Sequence, residues 1–293
     1  MNRKYTVILL KEIIEKAYAK INIGLKIISK RPDGYHDLET IFQQIDLCDT
    51  IKLSIRKSND IVIKSDNKNI PLDENNICHK AALLFRAASG LDFGLTIHIQ
   101  KEIPTGAGLG GGSSNAAAVL LGLEKLMAYK LPEKRLNRIA RDLGADVPFF
   151  LVGGTAYAEG IGDKIKTVRP FPDFFAVLVY PNIEISSAWA YKNFNFNLTK
   201  TKKIIKLSRI IQNRICFSDL KDYVENDFEK IVFAKYPELL KIKELLYRKG
   251  AFLAMMSGSG STIFGLFTGS EKAEAARKYF SEKYKCFLTQ PKK

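Results

Sequence analysis

The sequence has few of the residues that bind structural metals. It contains three histidines and four cysteines among 293 residues, and no two cysteines form a CxxC pair. Structural zinc sites gather His and Cys ligands at short spacings, so the sequence argues against such a site. We interpret Cys48, Cys78, Cys216 and Cys286 as reduced, mostly structural thiols.

A long apolar run is also missing. No stretch approaches the roughly 20 apolar residues that a membrane-spanning helix needs. Residues 1–10 carry only the brief apolar patch Val7–Leu10, without the longer apolar region and the cleavage site of a secretory signal. We therefore predict a cytoplasmic protein without a membrane partner.

Acidic residues are outnumbered, and the formal net charge is +15. A basic surface could attract a polyanion such as nucleic acid, or an anionic small substrate such as a nucleotide. The lysines are, however, spread along the chain rather than packed into one tract. We interpret them mainly as a solvated surface that can also attract an anionic substrate, and we predict no nucleic-acid partner.

The hydrophobic pattern predicts strands and helices that are mixed without strict alternation, which favours an α+β fold over a doubly wound sheet. We expect a hairpin of Ile51–Ile55 and Ile61–Lys64 across Ser58-Asn59-Asp60. The other predicted strands are Ile21–Ser29, Leu95–Gln100, Phe175–Tyr180, Phe252–Met256 and Thr262–Phe267. The predicted helices are Asp73–Ala88, Ser114–Tyr129, Glu133–Leu143, Ser187–Phe194, Lys202–Arg214, Tyr223–Ala234, Pro237–Arg248 and Glu271–Lys283.

The most informative segment is a glycine-rich run that follows a predicted strand and precedes a predicted helix. It has five glycines in seven residues, so its backbone can fold tightly and approach a ligand closely. Free N–H groups at a helix start, together with the helix dipole, form an anion site. We predict that the run binds a phosphate group, and its residues are Pro104, Thr105, Gly106, Ala107, Gly108, Leu109, Gly110, Gly111, Gly112, Ser113 and Ser114.

Three known phosphate motifs do not account for this run. The P-loop pattern fails because no lysine follows the glycines. The dinucleotide pattern GxGxxG matches at Gly106, Gly108 and Gly111, but the approach Lys101–Pro104 does not look like a buried parallel strand. The protein-kinase pattern fails because Ser113 stands where valine belongs and no HRD or DFG follows.

A carboxylate and a lysine form the candidate catalytic pair. Asp146 precedes the apolar run Val147–Val152, where an acidic residue is costly to bury without a partner. A cation such as Lys20 would keep it ionised, and beside a γ-phosphate the two could activate a hydroxyl and stabilise developing charge. The alternative is an ordinary turn-capping aspartate paired with a surface lysine, and the residues alone leave both open.

The run from Pro104 to Ala117 resembles the phosphate loop of the GHMP kinases. Further motifs resemble one branch of that family, and these motifs are Ala19-Lys20-Ile21-Asn22, Arg31-Pro32-Asp33-Gly34-Tyr35-His36, Gly144-Ala145-Asp146-Val147-Pro148-Phe149, Glu159-Gly160-Ile161-Gly162-Asp163 and Ser257-Gly258-Ser259-Gly260-Ser261-Thr262. The resemblance implies an ATP-dependent small-molecule kinase with a ribosomal-protein-S5-like N-terminal domain and a ferredoxin-like C-terminal domain. With the boundary at the proline-containing stretch Lys166–Pro172, we expect domains of residues 1–167 and 168–293.

The same resemblance implies a substrate and the residues that hold it. The branch phosphorylates a hydroxyl of a cytidine diphosphate-linked sugar alcohol in non-mevalonate isoprenoid precursor biosynthesis. Lys20 and Asp146 would be catalytic, with Asn22 holding the substrate near Lys20. Tyr35 would stack on cytosine, His36 would hydrogen-bond it, Tyr191 would be the second wall, and Ser187 would offer a hydroxyl. Asn76 would touch adenine, Lys101 would lie near the nucleotide phosphates, and Mg²⁺ is implied with unknown protein ligands.

Two alternatives remain beside this interpretation. One is another GHMP kinase, such as a homoserine or mevalonate kinase, against which the Asp33-Gly34-Tyr35-His36 motif argues. The other is a catalytically silent nucleotide- or RNA-binding protein, against which the presence of both Lys20 and Asp146 argues. As partners we expect only small molecules, and as assembly a monomer or a weak homodimer.

Overall fold

The computed structural model describes residues 10–196, 207 and 217–292. The chain forms two compact units. The first unit consists of the chain up to Tyr18, Cys48–Glu102 and Gly111–Leu151, and the second consists of Ala19–Leu47, Ile103–Gly110 and the chain from Val152 onward. Strands β1 (Glu12–Lys30) and β2 (His36–Arg56) contribute residues to both units.

In the first unit, strands and helices share an apolar interior. β2 pairs antiparallel with β4 (Gly94–Gln100), and β4 pairs in parallel with β3 (Ile61–Ser65). Leu53, Phe85 and Leu120 are fully buried, and each such side chain stabilises the fold by about 1.5–3 kcal/mol. The helices are α1 (Ile77–Ser89), α2 (Gly111–Leu126), α3 (Glu133–Leu143) and α4 (Val147–Val152).

In the second unit, β2 pairs antiparallel with β5 (Thr155–Glu159), and β5 pairs antiparallel with β6 (Lys164–Thr167). A separate antiparallel sheet has the order β10-β7-β9-β8. Its strands are β7 (Phe175–Tyr180), β8 (Leu253–Met256), β9 (Ile263–Phe267) and β10 (Lys285–Thr289). The helices are α5 (Ser187–Asn193), α6 (Glu229–Lys235), α7 (Pro237–Arg248) and α8 (Ser270–Ser281), and a 3₁₀ helix spans Phe217–Asp222.

The expected hairpin of Ile51–Ile55 and Ile61–Lys64 is wrong. β4 lies between β2 and β3, so the two segments belong to one sheet but do not pair. The turn passes the start of β4, where Leu95 N donates to Asp60 O. Gly94 makes this close approach possible, because a Cβ there would lie 1.5 Å from Ser58 O. The turn signal is therefore real, but it leads to a different neighbour.

Most other predicted elements are present with shifted ends. α3, α7 and β7 have the predicted bounds, whereas α1 begins at Ile77 because Asn76 caps it. The predicted helix Tyr223–Ala234 begins only at Glu229. The predicted helix Lys202–Arg214 lies outside the described residues except for Leu207. The pattern did not predict β5, β6, β10 or α4, which are short elements of four to six residues.

No helix in the described part of the chain combines the length and the apolarity that crossing a bilayer demands.

Asp227 ties the segment before α6 to strand β1. Its backbone N–H donates to Leu25 O at 2.9 Å, and its Oδ2 accepts from Ile27 N at 2.7 Å. This use of a short polar side chain competes with helix formation, which explains why α6 begins late. Burial raises the pKa of Asp227 to about 6, although the hydrogen bond from Ile27 N opposes that shift.

We expect Asp227→Asn to stabilise the protein at pH 8 but not at pH 4. The folded state of the wild type binds a proton more tightly than the unfolded state, so its stability falls as pH rises from about 4 through 6. A shift of about two pKa units corresponds to about 3 kcal/mol, and asparagine keeps an oxygen for Ile27 N. Urea unfolding at both pH values measures this. Asp222→Asn, at an exposed position, is the control that should follow the wild type.

Candidate active site

Lys20 and the first part of the glycine run lie together in the second unit. Lys20 N donates to Leu109 O at 3.0 Å, and this hydrogen bond joins β1 to the glycine run. The ammonium group then donates to Gly108 O at 3.0 Å. Strand and loop thus fix the lysine at both its backbone and its charged end.

A second glycine loop, Ser257–Thr262, holds the same carbonyl. Ser257 Oγ donates to Gly108 O at 2.9 Å, and Thr262 N donates to Ala107 O at 3.2 Å. Gly108 has φ +77°, and a Cβ there would lie 2.0 Å from Ser257 O. Only glycine therefore permits this contact of the two loops without a shift of backbone.

The Lys20 ammonium is almost wholly buried, with 3% of the residue exposed. Asn22 Oδ1 accepts from it at 2.6 Å. Asn22 Nδ2 in turn donates to Thr40 Oγ1 at 2.8 Å, and Thr40 Oγ1 donates to Gly24 O at 2.6 Å. Because the amide nitrogen of Asn22 is engaged by Thr40, its oxygen is the atom that faces the lysine. Asn22 Oδ1 and Gly108 O therefore both accept from the ammonium group and fix the end of the lysine side chain.

The remainder of the glycine run begins α2 in the first unit. The first N–H groups of any α-helix have no partner within the helix, so this end can bind an anion. Ser114 Oγ donates to Tyr18 O at 2.6 Å and thereby fixes the first turn. Asn115 is 3% exposed, and its Oδ1 has no hydrogen-bond partner among the described residues.

Asp146 directly precedes α4 in the first unit and is half-buried. The turn before it is closed by a hydrogen bond from Val147 N to Gly144 O at 3.1 Å. Pro148 lies in the first turn of α4, where its missing N–H costs no helical hydrogen bond. The local backbone is therefore firmly built, and it presents the carboxylate at the start of an apolar helix.

The predicted cytosine-binding residues of the second unit include a close ring pair. The rings of His36 and Tyr191 stack with their centroids 5.1 Å apart and their planes 23° apart. Phe196 lies nearly parallel to His36 at 6.2 Å, and Phe194 meets it edge-on at 6.4 Å. Burial, followed by the charge of Lys30, lowers the pKa of His36, so the imidazole is neutral at pH 7. Tyr35 is 61% exposed and lies outside this ring group.

Three further predicted residues are engaged in structural contacts. Ser187 Oγ lies 3.0 Å from Ser259 Oγ of the second glycine loop. Asn76 caps α1, accepting from Cys78 N at 2.9 Å and donating to Pro71 O at 2.6 Å.

Lys101, the third of these residues, forms a buried ion pair with Asp49 in the first unit. The two side chains are 5% and 0% exposed. Asp49 Oδ1 also accepts from Glu102 N at 2.8 Å, so the pair fixes the chain just before the glycine run. Burial raises the pKa of the nearby Cys78 thiol to about 12, which Lys101 opposes. The thiol is therefore protonated and structural.

We expect Lys101→Met to lower the free energy of unfolding by about 3 kcal/mol, because it removes one partner of a buried ion pair. Urea unfolding measures the loss. The matched control is Lys64→Met, an exposed strand position, which should stay within about 0.5 kcal/mol. An unchanged stability of Lys101→Met with a weakened ATP affinity would instead favour the nucleotide-binding role.

Comparison with known proteins places the chain in a family. The family models "GHMP kinases N terminal domain" and "GHMP kinases C terminal" match residues 76–154 and 209–286. The 4-diphosphocytidyl-2-C-methyl-D-erythritol kinase of Chlorobium chlorochromatii is 43% identical over 94% of this chain and 95% of its own. That of Pelobacter propionicus is 43% identical over 92% and 94%. The chain belongs to the GHMP kinases, in the branch of the 4-diphosphocytidyl-2-C-methyl-D-erythritol kinases.

A solved structure agrees with this membership. The crystal structure of a 4-(cytidine 5'-diphospho)-2C-methyl-D-erythritol kinase has a TM-score of 0.81 and 30% identity, and it covers 96% of this chain and 100% of its own. The expected α+β fold with GHMP kinase N- and C-terminal domains is thus confirmed, and the chain is a small-molecule kinase, which implies that it uses ATP. The boundary between residues 1–167 and 168–293 stays a prediction, with one family match on each side of it.

One buried polar residue beside the second glycine loop was missed from the sequence. Asn226 is 3% exposed and donates to backbone carbonyls on both sides of Ser257. The signal was present, since Asn226 and Asp227 interrupt a segment that the pattern assigned to a helix. Short polar side chains at such a place often bind backbone groups instead.

Proposed function

We propose that the protein transfers the γ-phosphate of ATP to the 2-hydroxyl of 4-diphosphocytidyl-2-C-methyl-D-erythritol. The observation that carries this is the buried Lys20 ammonium, held 3.0 Å from Gly108 O in the glycine run. Phosphoryl transfer needs positioned cations and N–H groups more than covalent chemistry, and this arrangement supplies both. The relatives that are 43% identical are named for this substrate.

In the proposed reaction, the substrate oxygen attacks the γ-phosphorus while the bond to the β-phosphate oxygen breaks and ADP leaves. Asp146 orients the 2-hydroxyl and accepts its proton. Lys20 stabilises the negative charge that develops on the transferred group. Asn22 keeps the lysine in place and holds the substrate beside it. Lys20 and Asp146 are thus the catalytic residues.

ATP is proposed to bind along the glycine run, with its phosphates at the start of α2. The residues are Pro104, Thr105, Gly106, Ala107, Gly108, Leu109, Gly110, Gly111, Gly112, Ser113 and Ser114. The roles of Asn76 at adenine and of Lys101 near the phosphates stay predictions. The observed contacts of these two side chains are explained by the local structure alone.

Mg²⁺ is proposed to enter with ATP and to neutralise phosphate charge. The described residues contain no group of three or more His, Cys, Asp or Glu side chains that could hold a metal alone. This fits Mg²⁺, which keeps several waters and binds substrate phosphates rather than a protein cage. The Asn115 Oδ1 atom, buried and without a partner among the described residues, could accept from a metal-bound water.

The cytidine group is proposed to bind at Tyr35, His36 and Tyr191. The neutral His36 imidazole can donate and accept, which suits the polar edge of cytosine. Tyr35 and Tyr191 supply ring faces for stacking, and Ser187 supplies a hydroxyl. Because the His36 ring covers one face of Tyr191, the two rings would have to separate for the base to stack on that face.

The test is turnover of a panel of alcohols with ATP and Mg²⁺, followed by ADP release and by mass spectrometry of the product. We expect phosphorylation of the cytidyl substrate and little of mevalonate or homoserine. Turnover of mevalonate or homoserine without the cytidyl substrate would contradict the proposed substrate. Absence of turnover with every alcohol would contradict the proposed kinase activity.

The remaining expectations are part of this proposal. We propose a cytoplasmic protein that acts on small molecules as a monomer or a weak homodimer. Light scattering across a concentration series tests the assembly. A stable larger oligomer at low concentration would contradict it.

A further inference from the structure

Asn226 has every hydrogen-bonding group of its amide engaged. Its Nδ2 donates to Met256 O at 2.8 Å and to Gly258 O at 2.7 Å, and its Oδ1 accepts from Phe228 N at 3.0 Å. The residue lies between the 3₁₀ helix and α6 and is 3% exposed. These contacts leave one orientation of the amide, because a flipped amide would face two carbonyls with its oxygen.

Of the two carbonyls, that of Gly258 belongs to the second glycine loop and that of Met256 directly precedes the loop. Met256 ends β8 and is fully buried, and Gly258 is the second residue of the loop Ser257–Thr262. Buried carbonyl groups need a donor, and both receive one from Asn226. Glu229 Oε1 supports the same point of the chain by accepting from Met256 N at 2.9 Å.

The loop that Asn226 holds is in contact with the candidate catalytic lysine. Ser257, between the two carbonyls, donates to Gly108 O, which also accepts from Lys20 Nζ. Gly258 lies so close that a Cβ there would be 3.4 Å from Lys20 Nζ and 3.3 Å from Asn22 Oδ1. A displacement of the loop would therefore move the groups that fix the lysine.

We propose that Asn226 is a positioning residue for phosphoryl transfer, which sets the place of Lys20 through Ser257 and Gly108. This inference rests on the proposed kinase function for its kinetic consequence. The hydrogen bonds of the Asn226 amide go to Met256 O, Gly258 O and Phe228 N, not to Ser257 or Gly108. Asn226 therefore acts through the backbone of the second glycine loop. Loss of the Asn226 side chain should reduce the stabilisation of the transition state more than the binding of substrates, because Lys20 remains but is displaced.

The kinetic test compares Asn226→Ala and Asn226→Asp with the wild type. We expect kcat to fall on the order of 100-fold, while KM for ATP and for the alcohol changes less than about threefold. Asn226→Asp keeps the size and the acceptor for Phe228 N, but it replaces both donations with a carboxylate oxygen that faces the carbonyls of Met256 and Gly258. It leaves no cavity, so it is the second variant if the alanine variant does not fold. Asp227→Asn, one residue on, is the control and should keep kcat within about twofold.

Coupling with Ser257 separates positioning from general destabilisation. If Asn226 acts through Ser257, the double variant with Ser257→Ala should lose much less than the product of the two single losses. Fully multiplicative losses, or equal changes in kcat and KM, would overturn the proposal.

A second measurement needs no substrate, so it tests the positioning role of Asn226 independently of the proposed kinase function. In hydrogen exchange, Asn226→Asp should lose protection at the amides of Ser257, Gly260 and Thr262, which bond within the loop and to Ala107 O. Protection in α7 should stay as in the wild type. Unchanged protection at Thr262 would overturn the role of Asn226, whatever the enzyme phosphorylates.

Discussion

Asp146→Asn is expected to lower kcat on the order of 1,000-fold while leaving the dissociation constant of ATP within about threefold. Asparagine has the size of aspartate but cannot accept a proton from the substrate hydroxyl. Half-buried at the start of α4, the side chain should fit without repacking. Single-turnover kinetics and a fluorescent ATP-analogue titration measure the two quantities separately.

The matched control for this variant is Asp142→Asn, an exposed residue of α3 only four positions away. It should keep kcat within about twofold, since surface changes of this kind have small effects. If Asp146→Asn kept full turnover, the assignment of Asp146 as catalytic would fall, and an ordinary turn-capping role would remain. If it lost ATP binding as well, Asp146 would belong to the nucleotide site instead.

Gly108→Ala is expected to lower the free energy of unfolding by about 4 kcal/mol and kcat on the order of 100-fold. The added Cβ would lie 2.0 Å from Ser257 O and 3.0 Å from Gly260 O, which are backbone atoms that a rotamer change cannot move. The positive φ of +77° adds a conformational cost. The two loops must then separate, and Lys20 loses its fixed partner.

Gly112→Ala is the control for stability, because nothing lies within 4 Å of its Cβ position. It lies inside α2, where alanine is the better helix former, so its stability should equal or exceed that of the wild type. Urea unfolding compares the two variants. Equal stabilities of Gly108→Ala and Gly112→Ala would show that the contact of the loops is not tight.

The glycine run and Asp146 could be singled out from the sequence because each has an unusual local composition, whereas Lys20 was singled out through the family resemblance; their roles stay predictions. Five glycines before a helix are conspicuous, and so is a carboxylate that precedes an apolar run. The long amphipathic helices were equally accessible, since a periodic apolar face is a local property.

Strand pairing and polar networks were not accessible in the same way. The turn at Ser58-Asn59-Asp60 is locally a hairpin signal, and only the insertion of β4 shows that it is not one. Asn226 is separated from the carbonyls it holds by about thirty residues of chain. Nothing in its local sequence names those partners, because they are determined by the way the sheet β10-β7-β9-β8 is assembled.

The Gly108 carbonyl accepts two hydrogen bonds, from Lys20 Nζ and from Ser257 Oγ. Both lone pairs of that oxygen are thus occupied, and the peptide plane cannot rotate without breaking both bonds. In a trans peptide the N–H of the next residue points opposite to the carbonyl, so the direction of Leu109 N–H is fixed as well. If the proposed phosphate site is correct, the loop therefore has its polarity set before the ligand binds, and a rotation of this peptide that would turn its carbonyl oxygen toward the phosphate would break both bonds.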